Sequence, residues 1–398
     1  MKTAAVIAEY NPFHKGHQWQ IEQIKAQGAT HIVAVMSPDF TQRGTPAVFP
    51  KRIRAAAAMN CGVDLVLELP VCYACSGAQR FAFGAVQLVS ALGCVDLLAF
   101  GAEDADLSRL TQAAQAIQDK RVAARLKQEL GRGITFAKAR ENAVEQIFGE
   151  EISCILQQPN NILAVEYLSQ LSEATLPGNA PAPLPIARIG NSHDGAPQEG
   201  FASASYLRRQ IITGEWEKAS PYLPACVINR YRTAIQSGQT ASMKSGERAV
   251  LSALRRMSLS ELKNLPDLSE GIENRLYRAI RSSCSTEQLY EQIKTKRYPL
   301  SRVRRLVLSA FLQIPAQMAE LAPPYLRILG MNERGKEILS RAKHTAVLPV
   351  SASLAKLSKH SPQAAEFAAL EAACADQYSL FCDNISPCGG DFSAVYKG

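Results

Sequence analysis

Glu9-Tyr10-Asn11-Pro12-Phe13-His14-Lys15-Gly16-His17 decides how the rest of the chain is read. Before it, Thr3-Ala4-Ala5-Val6-Ile7-Ala8 is an apolar run of strand length. After it, Trp19, Ile21 and Ile24 suit a helix over His17 to Lys25 that ends near Gly28. A buried strand, a turn holding Asn, Pro and Gly, and then a helix make half of a βαβ unit. Such a turn sets side chains and free backbone N–H groups at a helix N-terminus, where anions bind. Two histidines three apart can both face one phosphate, and the glycine between them lets it come close. That suits chemistry at an α-phosphate, where charge on a pentacoordinate phosphorus must be stabilised. The bland alternative is an exposed turn with two incidental histidines.

Further along, apolar strands alternate with helices. Residues 29–36 read as a second buried strand ending at Ser37-Pro38-Asp39. The polar loop Thr41–Pro46 follows, where an α/β fold places ligand loops. Lys51–Met59 reads as a helix, Leu65–Leu69 as a strand, Gln79–Leu92 as a helix and Val95–Phe100 as a fourth strand. This alternation predicts a parallel, doubly wound sheet. Gly101 comes directly after the fourth strand, either as a close approach to a nucleotide or as a plain strand-end turn. Asp104 to Leu171 reads as consecutive helices, the last begun by Pro159-Asn160-Asn161. One Asn suffices as its cap and leaves the other to face the cleft. Residues 175–185 read as a loop and Leu184–Ile189 as a fifth strand, whose proline favours an edge or a strand start. Arg188 on it is a phosphate or carboxylate ligand, or a surface arginine. Gly190–Gly200 reads as a flexible loop. Ser203 or Ser205 caps a helix that runs to Gly214. Residues 216–320 read as helical and basic, with Tyr277, Tyr298 and Tyr325 either stacking on bases or packed. Val347–Val350 suggests a small strand, and Cys388-Gly389-Gly390-Asp391 a poorly ordered tail.

The length of 398 residues calls for two or three domains, and 47% hydrophobic with 20% charged residues is ordinary for a soluble globular protein. Gln87, Ser90 and Asp96 interrupt the longest apolar stretch, so no membrane span is expected. The N-terminal run is too short for a signal peptide, and the expected location is cytoplasmic. The ten cysteines, Cys61, Cys94, Cys154, Cys226 and Cys284 among them, read as buried thiols. Cys72-Tyr73-Ala74-Cys75 has CxxC spacing without a second pair to complete a metal site, and no metal ligands are assigned. Charge is uneven: residues 1–200 hold 17 Lys and Arg against 19 Asp and Glu, whereas residues 201–350 hold 24 against 12. A nucleotide enzyme with an attached polyanion-binding module has this distribution, as does a basic surface without a partner.

His14-Lys15-Gly16-His17 after a first strand resembles the HxGH signature of the nucleotidyltransferase and class I aminoacyl-tRNA synthetase superfamily. The wider Glu9–His17 string resembles the bacterial tRNA(Met) cytidine acetate ligase family. Val35-Met36-Ser37, Gln42-Arg43-Gly44-Thr45-Pro46-Ala47, Gly62–Pro70, Phe100-Gly101-Ala102-Glu103, Pro159–Leu163 and Arg327-Ile328-Leu329-Gly330 match it in order, over about residues 1–345. Ser203, Ser205 and Arg208 are similar to the second signature, ISSTxIR, which the chain departs from at Ala202 and Ala204. No KMSKS loop is convincing, and Met243-Lys244-Ser245 is only a fragment.

The resemblance implies an α/β architecture: a Rossmann-like nucleotidyltransferase domain over 1–215 with a helical insertion at about 104–172. A mostly helical, basic tRNA-binding domain over 216–345 and a small C-terminal segment over 346–398 follow. It implies an ATP-dependent ligase that makes acetyladenylate and acetylates N4 of the wobble cytidine of elongator tRNA(Met). His14 and His17 would stabilise the α-phosphate; Ser203, Ser205 and Arg208 would hold the leaving pyrophosphate. ATP-binding residues would be Ile7-Ala8-Glu9-Tyr10-Asn11-Pro12-Phe13-His14-Lys15-Gly16-His17-Gln18-Trp19-Gln20, with Gly101, Asn160 or Asn161, and Arg188. Lys294, Lys296, Arg297, Arg302, Arg304 and Arg305 would contact tRNA, the last three as one cluster on a helix. Mg2+ would arrive with ATP, since no carboxylate cage is visible. An adenylyltransferase acting on a phosphorylated small molecule, or a non-catalytic RNA-binding protein, are the alternatives.

Overall fold

In the computed structural model, residues 1–173, 178, 180–189, 197, 200–268 and 271–393 are described. Most of the expected loop Gly190–Gly200, and part of that at 175–185, lie outside them. Strand β1 (Thr3–Ala8) is followed by helix α1 (Lys15–Ala26), β2 (His31–Met36), α2 (Lys51–Asn60) and β3 (Leu65–Glu68). Next come α3 (Val71–Ala74), α4 (Ala78–Ala91) and β4 (Leu97–Ala102). Between β4 and the next strand come α5 (Leu107–Gln118), α6 (Lys120–Leu130), α7 (Phe136–Phe148), α8 (Glu150–Ser153) and α9 (Pro159–Leu171). Strand β5 (Ala182–Ala187) and α10 (Ala204–Ile212) end the first half, and helices then dominate up to Leu312.

The strand order is β5-β4-β1-β2-β3-β6-β7, with β6 at Leu326–Met331 and β7 at Val350–Ser351. Apart from Thr3, His31 and Glu68 at their ends, β1 to β4 are apolar because both faces are covered. Ala5, Val33, Val35, Leu65, Leu67, Leu98 and Phe100 join the core on one face of the sheet, and Ala4, Val6, Ile32, Ala34, Met36, Val66 and Ala99 the core on the other. From β1 the chain moves outward through β2 and β3, then returns to place β4 on the other side of β1. The strand order reverses there, so a crevice opens at the carboxyl ends of β1 and β4.

Several expectations need correction. The fifth strand begins two residues earlier than its sequence suggested. Ala182 N–H and Arg188 N–H point to Asp96 O and Ala102 O, so even positions donate to β4 while Pro183 and Pro185 face outward at an edge. The sheet is not wholly parallel, for β6 pairs antiparallel with β3. It comes from a region whose sequence did not read as part of the first sheet. Cys61 and Cys226 are not thiols but a disulfide, across 165 residues that no local pattern could pair. The tail is tied down as well. Asp391 is 6% exposed, with its Oδ2 2.5 Å from Lys51 Nζ and 2.7 Å from Arg327 Nη1. Glu68 joins both cations, at 2.6 Å from Lys51 and 2.7 Å from Arg327.

This cluster fastens α2, β3, β6 and the end of the chain together. Buried charges are costly to desolvate and are tolerated only when every partner is present. Asp391→Ala should therefore cost about 3–5 kcal/mol in equilibrium urea unfolding. A loss under about 1 kcal/mol, typical of an exposed pair, would show that the tail does not hold the sheet.

Candidate active site

At the crevice lies a cavity of about 580 Å3. The β1–α1 turn makes its floor, from a cis Asn11–Pro12 bond and Tyr10 at φ 47°. A left-handed tyrosine is uncommon, and the surroundings hold this one in place. Its ring is buried edge-on to His17, 5.0 Å between centroids. Phe13 N–H donates to Tyr231 Oη at 3.0 Å, Asn11 Oδ1 accepts from Val48 N–H at 2.8 Å, and Asn11 O accepts from Arg208 Nη1 at 2.8 Å. Residues far apart in sequence thus fix one short turn.

His14 is the N-cap of α1. Its Nδ1 accepts Gly16 N–H at 3.1 Å, while Nδ1 of His17 accepts His14 N–H at 3.2 Å. The rings stack with centroids 3.8 Å apart. An Nδ1 that accepts carries no proton, so each neutral ring has its hydrogen on Nε2. Burial, then Arg188 and Arg208, lowers the His14 pKa to about 3. Burial, then the neighbouring His14 and Arg188, holds His17 well below the usual imidazole value. The pair therefore offers two neutral N–H donors at a helix N-terminus, suited to phosphate oxygens.

The two sequence motifs meet here. Ser203 caps α10 by accepting Tyr206 N–H at 3.2 Å, and Arg208 Nη2 donates to Ser205 Oγ at 3.0 Å. Both serines and Arg208 line the cavity, as do Ile7, Ala8, Glu9, Tyr10, Asn11, His14, Gly16, His17, Trp19 and Gln20. Gly101, Asn160 and Arg188 line it too. A Cβ at Gly101 would stand 3.3 Å from Arg188 Cγ and 3.7 Å from Gln20 Nε2, so glycine leaves the space between them open. Arg188 Nη1 donates to Asn160 Oδ1 at 3.4 Å. The two asparagines separate: Asn161 is buried with Oδ1 on Asp104 N–H at 3.0 Å, and Asn160 faces the cavity. The cap of α9 is instead the Glu103 carboxylate, which accepts Asn160 and Asn161 N–H.

Other expected residues lie elsewhere. Pro12 and Phe13 are buried behind the turn, Lys15 is exposed and Gln18 donates to Glu22 at 3.1 Å. None of these four lines the cavity. The arginine cluster splits. Arg304 and Arg305 line the cavity, while Arg302 Nη2 donates to Asp267 O at 2.8 Å. Lys294, Lys296 and Arg297 lie outside the lining, and Lys294 pairs with Glu291 at 3.4 Å. Tyr298 and Tyr325 are buried, and Tyr277 lies under Arg281 with the guanidinium 4.6 Å from its ring centroid. Sequence reading missed Phe81, Phe100, Leu163, Tyr167, Leu300 and Ser301 in the lining. Asn160, Leu163 and Tyr167 have i, i+3, i+7 spacing on α9, a readable signal once Asn160 is known to face the cleft.

Gly44, at φ +72°, sits where a Cβ would be 2.4 Å from Arg305 N and 2.5 Å from Arg304 C. Only glycine lets the Gln42–Gly44 loop rest on the helix Leu300–Leu312. That contact makes the late basic helix one wall of the cavity.

A doubly wound sheet with two imidazoles at the first helix and Ser and Arg at a later one defines an α/β nucleotide-binding enzyme that acts at a phosphate. The family model described as HIGH Nucleotidyl Transferase matches residues 1–390. The tRNA(Met) cytidine acetate ligase of Thermoanaerobacter sp. (strain X514) is 37% identical over 402 residues, covering 98% of each chain. That of Caldanaerobacter subterraneus subsp. tengcongensis is 38% identical over 367 residues, 89% of this chain and 90% of the relative. The crystal structure of Thermotoga maritima TmcAL bound with alpha-thio ATP matches with a TM-score of 0.92 at 31% identity, covering 99% of this chain and 98% of that one. The chain belongs to the HIGH nucleotidyltransferases and, among them, to the tRNA(Met) cytidine acetate ligase family.

Because both imidazoles stay neutral, the unfolded chain binds protons that the folded chain refuses. Stability from this pair should fall as pH drops from about 6.5, the free imidazole value, towards the folded value near 3 for His14. In an NMR titration of the ligand-free protein, neither ring should titrate near the free imidazole value, and His14 should stay neutral to about pH 3. An ordinary titration near 6.5 would contradict the capping geometry.

Proposed function

We propose that this chain activates acetate with ATP, releasing pyrophosphate, and passes the acetyl group to N4 of the wobble cytidine of elongator tRNA(Met). The observation that carries this reading is the convergence of both phosphate motifs on one cavity, within a fold shared by TmcAL bound with alpha-thio ATP. An acetate oxygen attacks the α-phosphorus and the bond to pyrophosphate breaks. Attack of N4 on the acetyl carbon then releases AMP, and N4 gives up one proton. The residues need to align and neutralise rather than form a covalent intermediate.

Nε2–H of His14 and His17 donates to the α-phosphate oxygens as charge builds on them. Ser203, Ser205 and Arg208 hold the departing pyrophosphate, and Gly101, Asn160 and Arg188 frame the nucleoside. Among the described residues there is no group of three or more His, Cys, Asp or Glu able to hold a metal ion. Mg2+ is read as part of the substrate, MgATP. No helix among the described residues is long and apolar enough to cross a membrane. A tRNA substrate supports a cytoplasmic reaction.

Acetate-dependent ATP–pyrophosphate exchange tests the first step. His17→Ala should lower it about a hundredfold or more, the effect of removing one preorganised donor. Exchange at the wild-type rate would make the motif a bystander. Lys294 and Lys296 are exposed and lie outside the cavity lining, so they suit tRNA phosphates. Replacing both with Ser should weaken tRNA binding and flatten its logarithmic salt slope by roughly 0.7–0.9 per lost contact. Exchange without tRNA should persist, and its loss would argue that these lysines serve the first step.

A further inference from the structure

One wall of the cavity is ill suited to phosphate. Glu9 follows β1 directly, and its Oε1 accepts Gln42 N–H at 2.8 Å. Gln42 is itself held, since Arg305 Nη1 donates to its carbonyl at 3.5 Å. Among the described residues nothing hydrogen-bonds to Glu9 Oε2. Tyr167 on α9 lines the same cavity and is only 4% exposed, yet its hydroxyl has no hydrogen-bond partner among the described residues. Burial first, and then the charge of Glu9, push its phenol upward, so it stays protonated. Phe81 and Phe100 are buried in the same wall, with Phe100 and Tyr167 centroids 6.0 Å apart. Tyr167 thus presents to the cavity a phenol that a bound polar group can meet.

The chemistry of this wall selects its occupant. A carboxylate repels both phosphate and acetate, but accepts hydrogen bonds from an amino group. Flat apolar side chains suit a planar ring, and a phenol can donate to a ring carbonyl or nitrogen. Arg43 and Arg304, in the same lining, suit the phosphates on either side of an inserted nucleotide. We propose that Glu9 and Tyr167 form the subsite for the acceptor base, with Glu9 receiving the exocyclic amino group of cytosine and Tyr167 donating to its O2 carbonyl. This rests on the function proposed above. It sets Glu9 apart from its sequence neighbours, which face the nucleotide, and it makes Glu9 the residue that distinguishes cytosine from uracil.

Uracil carries a carbonyl where cytosine carries the amino group, so a carboxylate meets a second acceptor there. The full-length protein is titrated with two forms of the acceptor tRNA, carrying cytidine or uridine at the modified position. The wild type should prefer cytidine by about tenfold or more, the scale of one good base-edge pair. Glu9→Gln supplies an amide that can donate to the uracil carbonyl, and the preference should shrink to about twofold. Tyr167→Phe should weaken both tRNAs alike and keep the preference. A wild type without preference, or a Glu9→Gln protein that keeps it, would overturn the proposal. Unaltered affinity in Tyr167→Phe would remove Tyr167 from it. Thermal melting of both variants shows whether they fold, and should Glu9→Gln fail to, Tyr167→Phe with the wild-type preference still decides. Acetate-dependent exchange by the wild type, measured in parallel, reports on the underlying function, so its absence is distinguishable from failure of the subsite.

Discussion

Gly16 N–H and His14 N–H donate to Nδ1 of His14 and His17, and much of the site follows from this pair of hydrogen bonds. They close the first turn of α1, occupy one nitrogen of each ring and leave the other as a donor. They also restrain the rings against rotation, since each is anchored to backbone. Burial then keeps both imidazoles neutral. A site that donated through imidazolium would change strength with pH around neutrality. This one does not, and the fixed charge around it comes from Arg188 and Arg208 instead.

The turn is rigid only because distant parts of the chain hold it. Tyr231 reaches Phe13, Arg208 reaches the Asn11 carbonyl, and Val48 reaches the Asn11 side chain. The loop at Gln42–Gly44 packs on the helix that carries Arg304 and Arg305, which brings a basic element of the second half to the nucleotide cavity. β6 and Asp391 then fasten the end of the chain to α2 and β3 through buried charge. A polyanion held by that helix would therefore lie beside the cavity.

What the sequence determined by itself is local. The apolar runs of β1 to β4, the helices between them and the turn at Tyr10–His17 were legible because period and turn chemistry act over a few residues. The prolines of β5 mark an edge strand for the same reason, although the strand starts two residues before its apolar pattern does. His14, His17, Ser203, Ser205 and Arg208 were legible as two motifs, but that they face one another was not. Tertiary structure decided that, along with the antiparallel β6, the Cys61–Cys226 disulfide, the burial of Asp391 and the division between Asn160 and Asn161. It also separated Arg304 and Arg305, which line the cavity, from Arg302, which does not. The physical reason is common to all of these: each depends on a partner tens to hundreds of residues away. No local period records such a partner, and burial gives a charge or a hydroxyl its role only when the whole chain has closed around it.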